Sequence, residues 1–256
     1  MNKNIAKQLC NINTTFYQSC AQSFSTTRTS SWNGWDLCTR YIPNKPNTSI
    51  LDLAAGNLRF EEHIYTNSAG KSLNFYAIDN CDTLAESQTW SHEFKDCLNY
   101  QSLNIIDTLL QDKDLTSSIT APACDACVSF GFMHHIPTKA LRLKVLDALL
   151  NHTKPGGYTI VSFWQFTKQD SLKKKAHLTT PLACEYHNIN HDQLEENDWF
   201  IGWKNEENLY RYCHDFTDKE IDELVDALSN KSILVDKFYA DGKSNNLNCY
   251  IVLKRI

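Results

Sequence analysis

The chain has 256 residues, 42% of them hydrophobic and 21% charged. That is enough apolar material for a core of its own, and it excludes wholesale disorder and coiled-coil rods. The formal net charge is −5, from 25 basic and 30 acidic residues, which argues against holding nucleic acid through an overall basic field but leaves room for a local patch or a partner's charge. No run reaches the roughly 18 apolar residues of a membrane span, and the N-terminal stretch lacks the apolar segment of a secretory signal. A cytoplasmic protein with no membrane partner is expected.

In chain order, four short β-type runs are separated by segments able to form helices: Ser49–Leu53, Asn74–Ile78, Tyr100–Leu103 and Ala126–Phe130. Their ends recur at a step of about 26 residues, the length of a strand plus a crossover helix and two turns. A helix from Thr138 to His152 carries Leu141, Val145, Leu146, Leu149 and Leu150 on one face. Lys154–Gly157 stops it, and Tyr158–Phe163 is the fifth strand. Thr217 to Glu220 is a capping box that opens a last helix. Ile233–Tyr239 and Asn248–Lys254 then flank a turn-rich segment and pair as an antiparallel hairpin. The whole chain, 1–256, reads as one α/β domain with a mostly parallel open sheet covered on both faces.

Ten cysteines prompt a check for metal. Cys124 and Cys127 make the one CxxC, and no second pair stands at zinc-finger spacing. The thiols are read as small buried hydrophobes, with no metal and no disulfides expected. The basic cluster Lys173–Lys175 is read as a solvated loop.

Ligands of open α/β sheets lie outside the carboxyl ends of the strands. After the first strand, Ala54, Ala55 and Gly56 let a ligand approach the backbone, and the next helix aims its amides there. The GxGxxG dinucleotide fingerprint is absent. Asp79, followed by Asn80, is placed either to accept from two ribose hydroxyls or to cap a helix. Asn104 is placed to bond an adenine amino group, with Ile105 packing on the ring; Phe130 closes the fourth strand.

The motifs ILDLAAGNLRF, FYAIDN, the Asn104 turn, ACVSF and KPGGYTIVSFW occur in the order found in class I S-adenosylmethionine-dependent methyltransferases, which this chain resembles over roughly residues 49–166. The resemblance implies a Rossmann-like, open seven-stranded sheet whose last strand is antiparallel, and S-adenosylmethionine as cofactor. Ala54 and Leu58 stand where that family's loop has its outer glycines, so Leu58 must point away from the ligand. The flanks, Phe16–Tyr17, Ala21–Arg28, Trp32–Trp35, Phe132–Ile136, Leu209–Phe216 and Asn246–Tyr250, are similar to those of the wobble-uridine tRNA methyltransferases, which methylate a carboxymethyl group on the anticodon uridine.

That resemblance implies an N-terminal helical lid over 1–45 and a substrate-side insertion over 165–215. Within the lid, Arg28 can pair with the methionine carboxylate in fork geometry, with Tyr17 and Trp32 completing the cover. A carboxylate acceptor needs orientation rather than a base, for which Arg28, Arg211, Tyr17 and Tyr212 are of the right type. For a hydroxyl or amine acceptor, His135 is the first candidate base, against the reading of a histidine bonded to a backbone carbonyl. Of His134 and His135, at most one is expected to face the acceptor. Trp164 walls the pocket or fills the core, and Arg59 reads as a surface charge.

The expected activity is methyl transfer to tRNA, with an activating protein partner allowed for. The alternatives are a small-molecule O- or N-methyltransferase, a cofactor-binding subunit without turnover and, more distantly, a nicotinamide oxidoreductase.

Overall fold

The structure, a computed structural model, describes residues 1–27, 30–68, 72–85, 90–204 and 206–256, with the side chains of residues 22 and 24 left aside. Helices α1 (Lys3–Ser25) and α2 (Asn33–Cys38) lead into strand β1 (Thr48–Leu53). Then come α3 (Arg59–Asn67), β2 (Leu73–Asp79), the short α4 (Asp82–Ala85) and α5 (His92–Asp96), and β3 (Leu98–Ser102). Short α6 (Ile105–Leu110) and α7 (Leu115–Ser118) precede β4 (Cys124–Ser129), α8 (Lys139–His152) and β5 (Thr153–Trp164). Next are α9 (Asp170–His187), β6 (Asp198–Gly202), β7 (Tyr210–His214) and α10 (Asp218–Asp226), and last β8 (Ser232–Ala240) and β9 (Asn248–Arg255).

Seven strands form one sheet in the order β3-β2-β1-β4-β5-β9-β8. β9 runs antiparallel to both β5 and β8, and β1 to β5 are mutually parallel. Alternation along the strands feeds two cores. Leu51 and Leu53 join Leu146, Leu149 and Ile221 on the face covered by α8 and α10, while Ile50 and Phe75 pack with Trp35, Phe60 and Ile64 on the face of α2 and α3. All ten cysteines are free, and Cys38, Cys124, Cys127, Cys213 and Cys249 are wholly buried. No helix among the described residues is long and apolar enough to cross a membrane.

Three boundaries depart from the sequence reading. β3 starts at Leu98 because pairing with β2, from Phe75↔Leu98 to Asp79↔Ser102, sets its register. β5 starts at Thr153, so the Lys154–Gly157 stretch is a bulged strand entry and not a turn, with a register shift against Cys124 and Ala126. Gly157 permits this: a Cβ there would meet the Asp125 carbonyl oxygen at 2.7 Å. Lys173–Lys175 belongs to the helix α9, not to a loop.

The 165–215 stretch holds α9 and a separate two-stranded antiparallel ribbon, β6–β7. α1 packs on it, with Ile5, Leu9 and Ile12 against Ala183, Phe200 and Tyr212. A buried polar network fastens the ribbon to the main domain. His214 bonds Asp198 through Nδ1 at 2.7 Å and Glu220 through Nε2 at 2.8 Å. Arg142 donates to Glu220 at 2.7 Å, and the Tyr212 hydroxyl donates to Asp198 at 2.7 Å.

Burial alone would lower the His214 imidazolium, but its bonds to Asp198 and Glu220 more than offset that and raise it above its usual value. The stability held by the protonated ring is therefore complete below about pH 6.5 and is lost as pH rises through the elevated folded-state value. His214→Gln is expected to destabilise by about 3 kcal/mol near pH 6. Melting curves of the two proteins should converge towards alkaline pH; a gap that widens with pH would refute the charged assignment.

Candidate active site

A cleft of about 490 Å³ crosses the carboxyl ends of β1, β2 and β4, where the strand order reverses between β1 and β4. In the loop after β1, Ala54 and Gly56 at the cleft floor and Leu58 beneath it all take left-handed backbone, with φ of 68°, 60° and 60°. For the two non-glycine residues this costs about 1–2 kcal/mol each. Local hydrogen bonds offset it: the N–H groups of Ala54 and Ala55 both donate to the Ile78 carbonyl, at 2.7 and 3.0 Å. A Cβ on Gly56 would meet nothing within 4 Å, so glycine serves its φ there. Leu58, 1% exposed, is turned into the interior and lines no part of the cleft. The space a family glycine would leave is therefore not filled by a leucine side chain.

Asp79 ends β2 and locks this floor, accepting from the Gly56 N–H at 2.8 Å and the Cys81 N–H at 2.9 Å. Burial raises its carboxyl, and these amides pull it part of the way back. Asn80 lines the cleft beside it. Asn104 lines it too, but its amide caps α6, accepting from the Asp107 N–H at 3.0 Å and donating to the Asp107 carboxylate at 2.9 Å. The side chain expected to bond an adenine amino group is thus also the cap of α6, with Ile105 beside it as an apolar lining residue.

Behind the floor Asp52 and Glu61 are 4% and 0% exposed, and no donor among the described residues reaches either Glu61 oxygen or Asp52 Oδ1. Burial lifts Glu61 to about 8 and Asp52 well above the carboxylate range. Glu61 therefore keeps its proton into the neutral range, and Asp52 is shifted in the same direction. Because the folded value exceeds the unfolded one, the wild type should lose stability as pH climbs from 4.5 towards about 8. Glu61→Gln, which needs no proton, is expected to flatten that decline in melting temperature. Parallel pH profiles for the two proteins would rule out a proton retained on Glu61.

The far half of the cleft is built from α1, the turn after β4, β5 and β7. Both His134 and His135 line it, 6% and 4% exposed, with ring centroids 4.0 Å apart. Both line the cleft because Met133–His135 is a 3-10 turn and not extended chain. His135 Nε2 lies 2.7 Å from the Tyr17 hydroxyl and Nδ1 lies 3.0 Å from the Tyr212 carbonyl. That carbonyl only accepts, whereas the Asn13 amide nitrogen, also 3.0 Å from Nδ1, only donates, so the ring is bonded in either tautomer. His135 thus has the carbonyl partner of the bland reading and a place in the cleft at once.

Arg211, 6% exposed, lies over the rings of Trp164, Phe16 and Trp203 at 5.2, 5.7 and 5.9 Å and hydrogen-bonds Tyr17. Trp164 is therefore a cleft wall. Tyr212 is corrected: side chains alternate along β7, so its ring points away from the cleft to Asp198, and it reaches the site through its backbone, the carbonyl at His135 and the N–H at Asn13. Arg28 lies outside the described residues.

Trp32 and Phe130 line the cleft near Gly56. Arg59, read as a surface charge, lines it as well: Nη1 donates to the Ser30 carbonyl at 2.7 Å, and the guanidinium stands 5.3 Å over Trp35. Residues missed by the sequence reading are Asn13, Thr14 and Gln18 of α1 and Asp241, Leu247 and Asn248 of the last turn. Asn13 stands one helical turn before Tyr17, and that i,i+4 spacing was the available signal. The cleft also brings Cys213 to the two histidines, all potential ligand atoms within 4.8 Å of one another. Burial pushes that thiol up to about 12, and His135 is engaged through both nitrogens, which makes a poor donor set for a metal.

No protein-family model matches the chain. Among curated proteins it is similar to the tRNA (carboxymethyluridine(34)-5-O)-methyltransferase ALKBH8 of Mus musculus, 26% identical over 166 residues, which is 63% of this chain and 21% of that protein. It is also similar to the tRNA (carboxymethyluridine(34)-5-O)-methyltransferase of Arabidopsis thaliana, 24% identical over 176 residues, 66% of this chain and 36% of that one. The matched chain thus spans well under half the length of these relatives.

Among solved structures, the 1,6-didemethyltoxoflavin-N1-methyltransferase of Burkholderia thailandensis superposes with a TM-score of 0.60 at 13% identity, covering 98% of this chain and 89% of that one. A SAM-dependent methyltransferase of Methanosarcina mazei gives 0.58 at 15%, covering 86% and 97%. Likeness at this level speaks for the fold, which is the α/β, Rossmann-like seven-stranded sheet of class I methyltransferases that the sequence implied.

Proposed function

We propose that the chain binds S-adenosylmethionine in this cleft and methylates an acceptor that carries a carboxylate, the carboxymethyl group of a modified tRNA uridine being the acceptor of choice. The observation that carries the reading is Arg211, a buried cation in an aromatic box beside two histidines at the far end of the cleft. The names of the curated relatives support the same acceptor.

The residues fit the cofactor. The carboxylate of Asp79 keeps lone pairs beyond those taken by Gly56 and Cys81, suited to two ribose hydroxyls. The open space above Gly56 admits the chain between sugar and amino acid, and Ile105 offers an apolar surface to a base. Bound there, S-adenosylmethionine supplies a methyl group on a positively charged sulfur. The protein's part is alignment. Arg211 holds a carboxylate in fork geometry, and its ring partners keep water from competing for it. A carboxylate is already ionised near neutral pH, its pKa being about 4, so Tyr17 and His135 position and need not deprotonate. Trp32 and α1 form the cover, and the action is cytoplasmic.

A second reading, a small-molecule acceptor, draws on the net charge of −5 and on α1 lying over the cleft through Asn13, Tyr17 and Gln18. Incubation with methyl-labelled cofactor and either bulk tRNA or a metabolite extract separates them. Label is expected in tRNA. Label in the small-molecule fraction alone would transfer the case to the second reading. Label in neither, even with added cell extract to supply an activating partner, would favour a binding subunit without turnover.

A further inference from the structure

Helix α9 carries an apolar stripe on its outer side. Leu178, Leu182 and Tyr186 are 72%, 54% and 56% exposed, and at successive i,i+4 positions they share one face. The opposite face is well used: Ala176, Thr180, Ala183 and Cys184 are buried, and the Thr180 hydroxyl accepts from the Phe200 N–H at 3.0 Å. The stripe is therefore not needed to hold the helix. Solvent-facing helical positions ordinarily carry charge, and two adjacent exposed leucines on one face mark a docking surface. Lys173 and Lys174 are exposed about one turn before Leu178, and Glu185 is exposed just past Leu182, so the stripe has a basic end and an acidic end.

We propose that two copies of the chain associate through α9, packed antiparallel about a two-fold axis near Thr180. In that arrangement Leu178 faces Leu182 of the second copy, and Lys174 reaches Glu185 and the Tyr186 ring of the second copy, twice over by symmetry. Antiparallel helices also oppose their macrodipoles favourably. A uniformly acidic or basic partner would satisfy one end of the stripe and be repelled at the other, whereas a second copy complements both. One helix pair buries less than the roughly 1,600 Å² of a standard interface, so the dimer is weak and reversible.

Sedimentation velocity on the full chain from about 1 to about 200 µM tests this. The weight-average mass should rise from 29.4 kDa towards twice that value. Leu178→Asp should hold the monomer mass throughout. Lys174→Glu should weaken the dimer about five-fold, and adding Glu185→Lys should restore it. An unchanged melting temperature in each variant assures that folding is not what is measured. A monomer at the highest concentration, or a dimer that survives Leu178→Asp, overturns the proposal; a double charge reversal that fails to restore overturns the antiparallel register. The outcome is independent of what the cleft binds.

Discussion

Asp79→Ala is expected to weaken binding of S-adenosylhomocysteine about 100-fold or more. Two hydroxyls bonded to one carboxylate contribute about 1.5–3 kcal/mol each, and every 1.4 kcal/mol is a factor of about ten. The side chain has a second task, because it holds the Gly56 and Cys81 amides. A stability loss of about 1–2 kcal/mol should accompany the change, so affinity must be read on folded protein by calorimetry. Asp79→Asn keeps an acceptor and loses the charge, and should fall between. The raised carboxyl of Asp79 adds a pH signature: affinity should decline on the acid side at a pH above that of an ordinary carboxylate. Binding within about three-fold of wild type in Asp79→Ala would remove the ribose assignment.

Arg211→Ala is expected to lower methyl transfer to tRNA by about 100-fold or more while leaving the affinity for S-adenosylhomocysteine within about three-fold. The guanidinium stands against Trp164 in the part of the cleft lined by His134, whereas Asp79 and Gly56 are bonded to each other at the ends of β2 and β1. Arg211→Lys should recover little, since an ammonium neither forks onto a carboxylate nor lies flat against Trp164 and Phe16. Equal losses in turnover and cofactor affinity would assign Arg211 to the cofactor instead.

The parallel half of the sheet was legible because its signals are local. Apolar runs of about five residues recur at βα spacing, and Gly56 and Asp79 stand at the strand ends where ligands bind. The β6–β7 ribbon was not legible. Asp198, Arg211 and His214 occupy buried positions in it, Asp198 held by Tyr212 and His214, His214 also by Glu220 of α10, and Arg211 by the rings of Trp164, Phe16 and Trp203, so the alternation of apolar and polar residues that marks a strand is broken. Missing the ribbon is what put Tyr212 beside Arg211, when strand geometry sends neighbours to opposite faces. The local geometry of Asn104 and His134 was not legible for a related reason. An asparagine before a helix can cap it as well as bind a ligand, and adjacent histidines diverge in extended chain but converge in a 3-10 turn. Arg59 looked exposed because a first-turn arginine usually is; Trp32 and Trp35, far off in sequence, cover it.

Titration calorimetry of the unmodified protein with S-adenosylhomocysteine, and separately with NAD, bears most directly on the cleft. One site of micromolar affinity for the thioether, with no heat from NAD, is the expected result. Silence with both ligands, or heat from NAD alone, would contradict it.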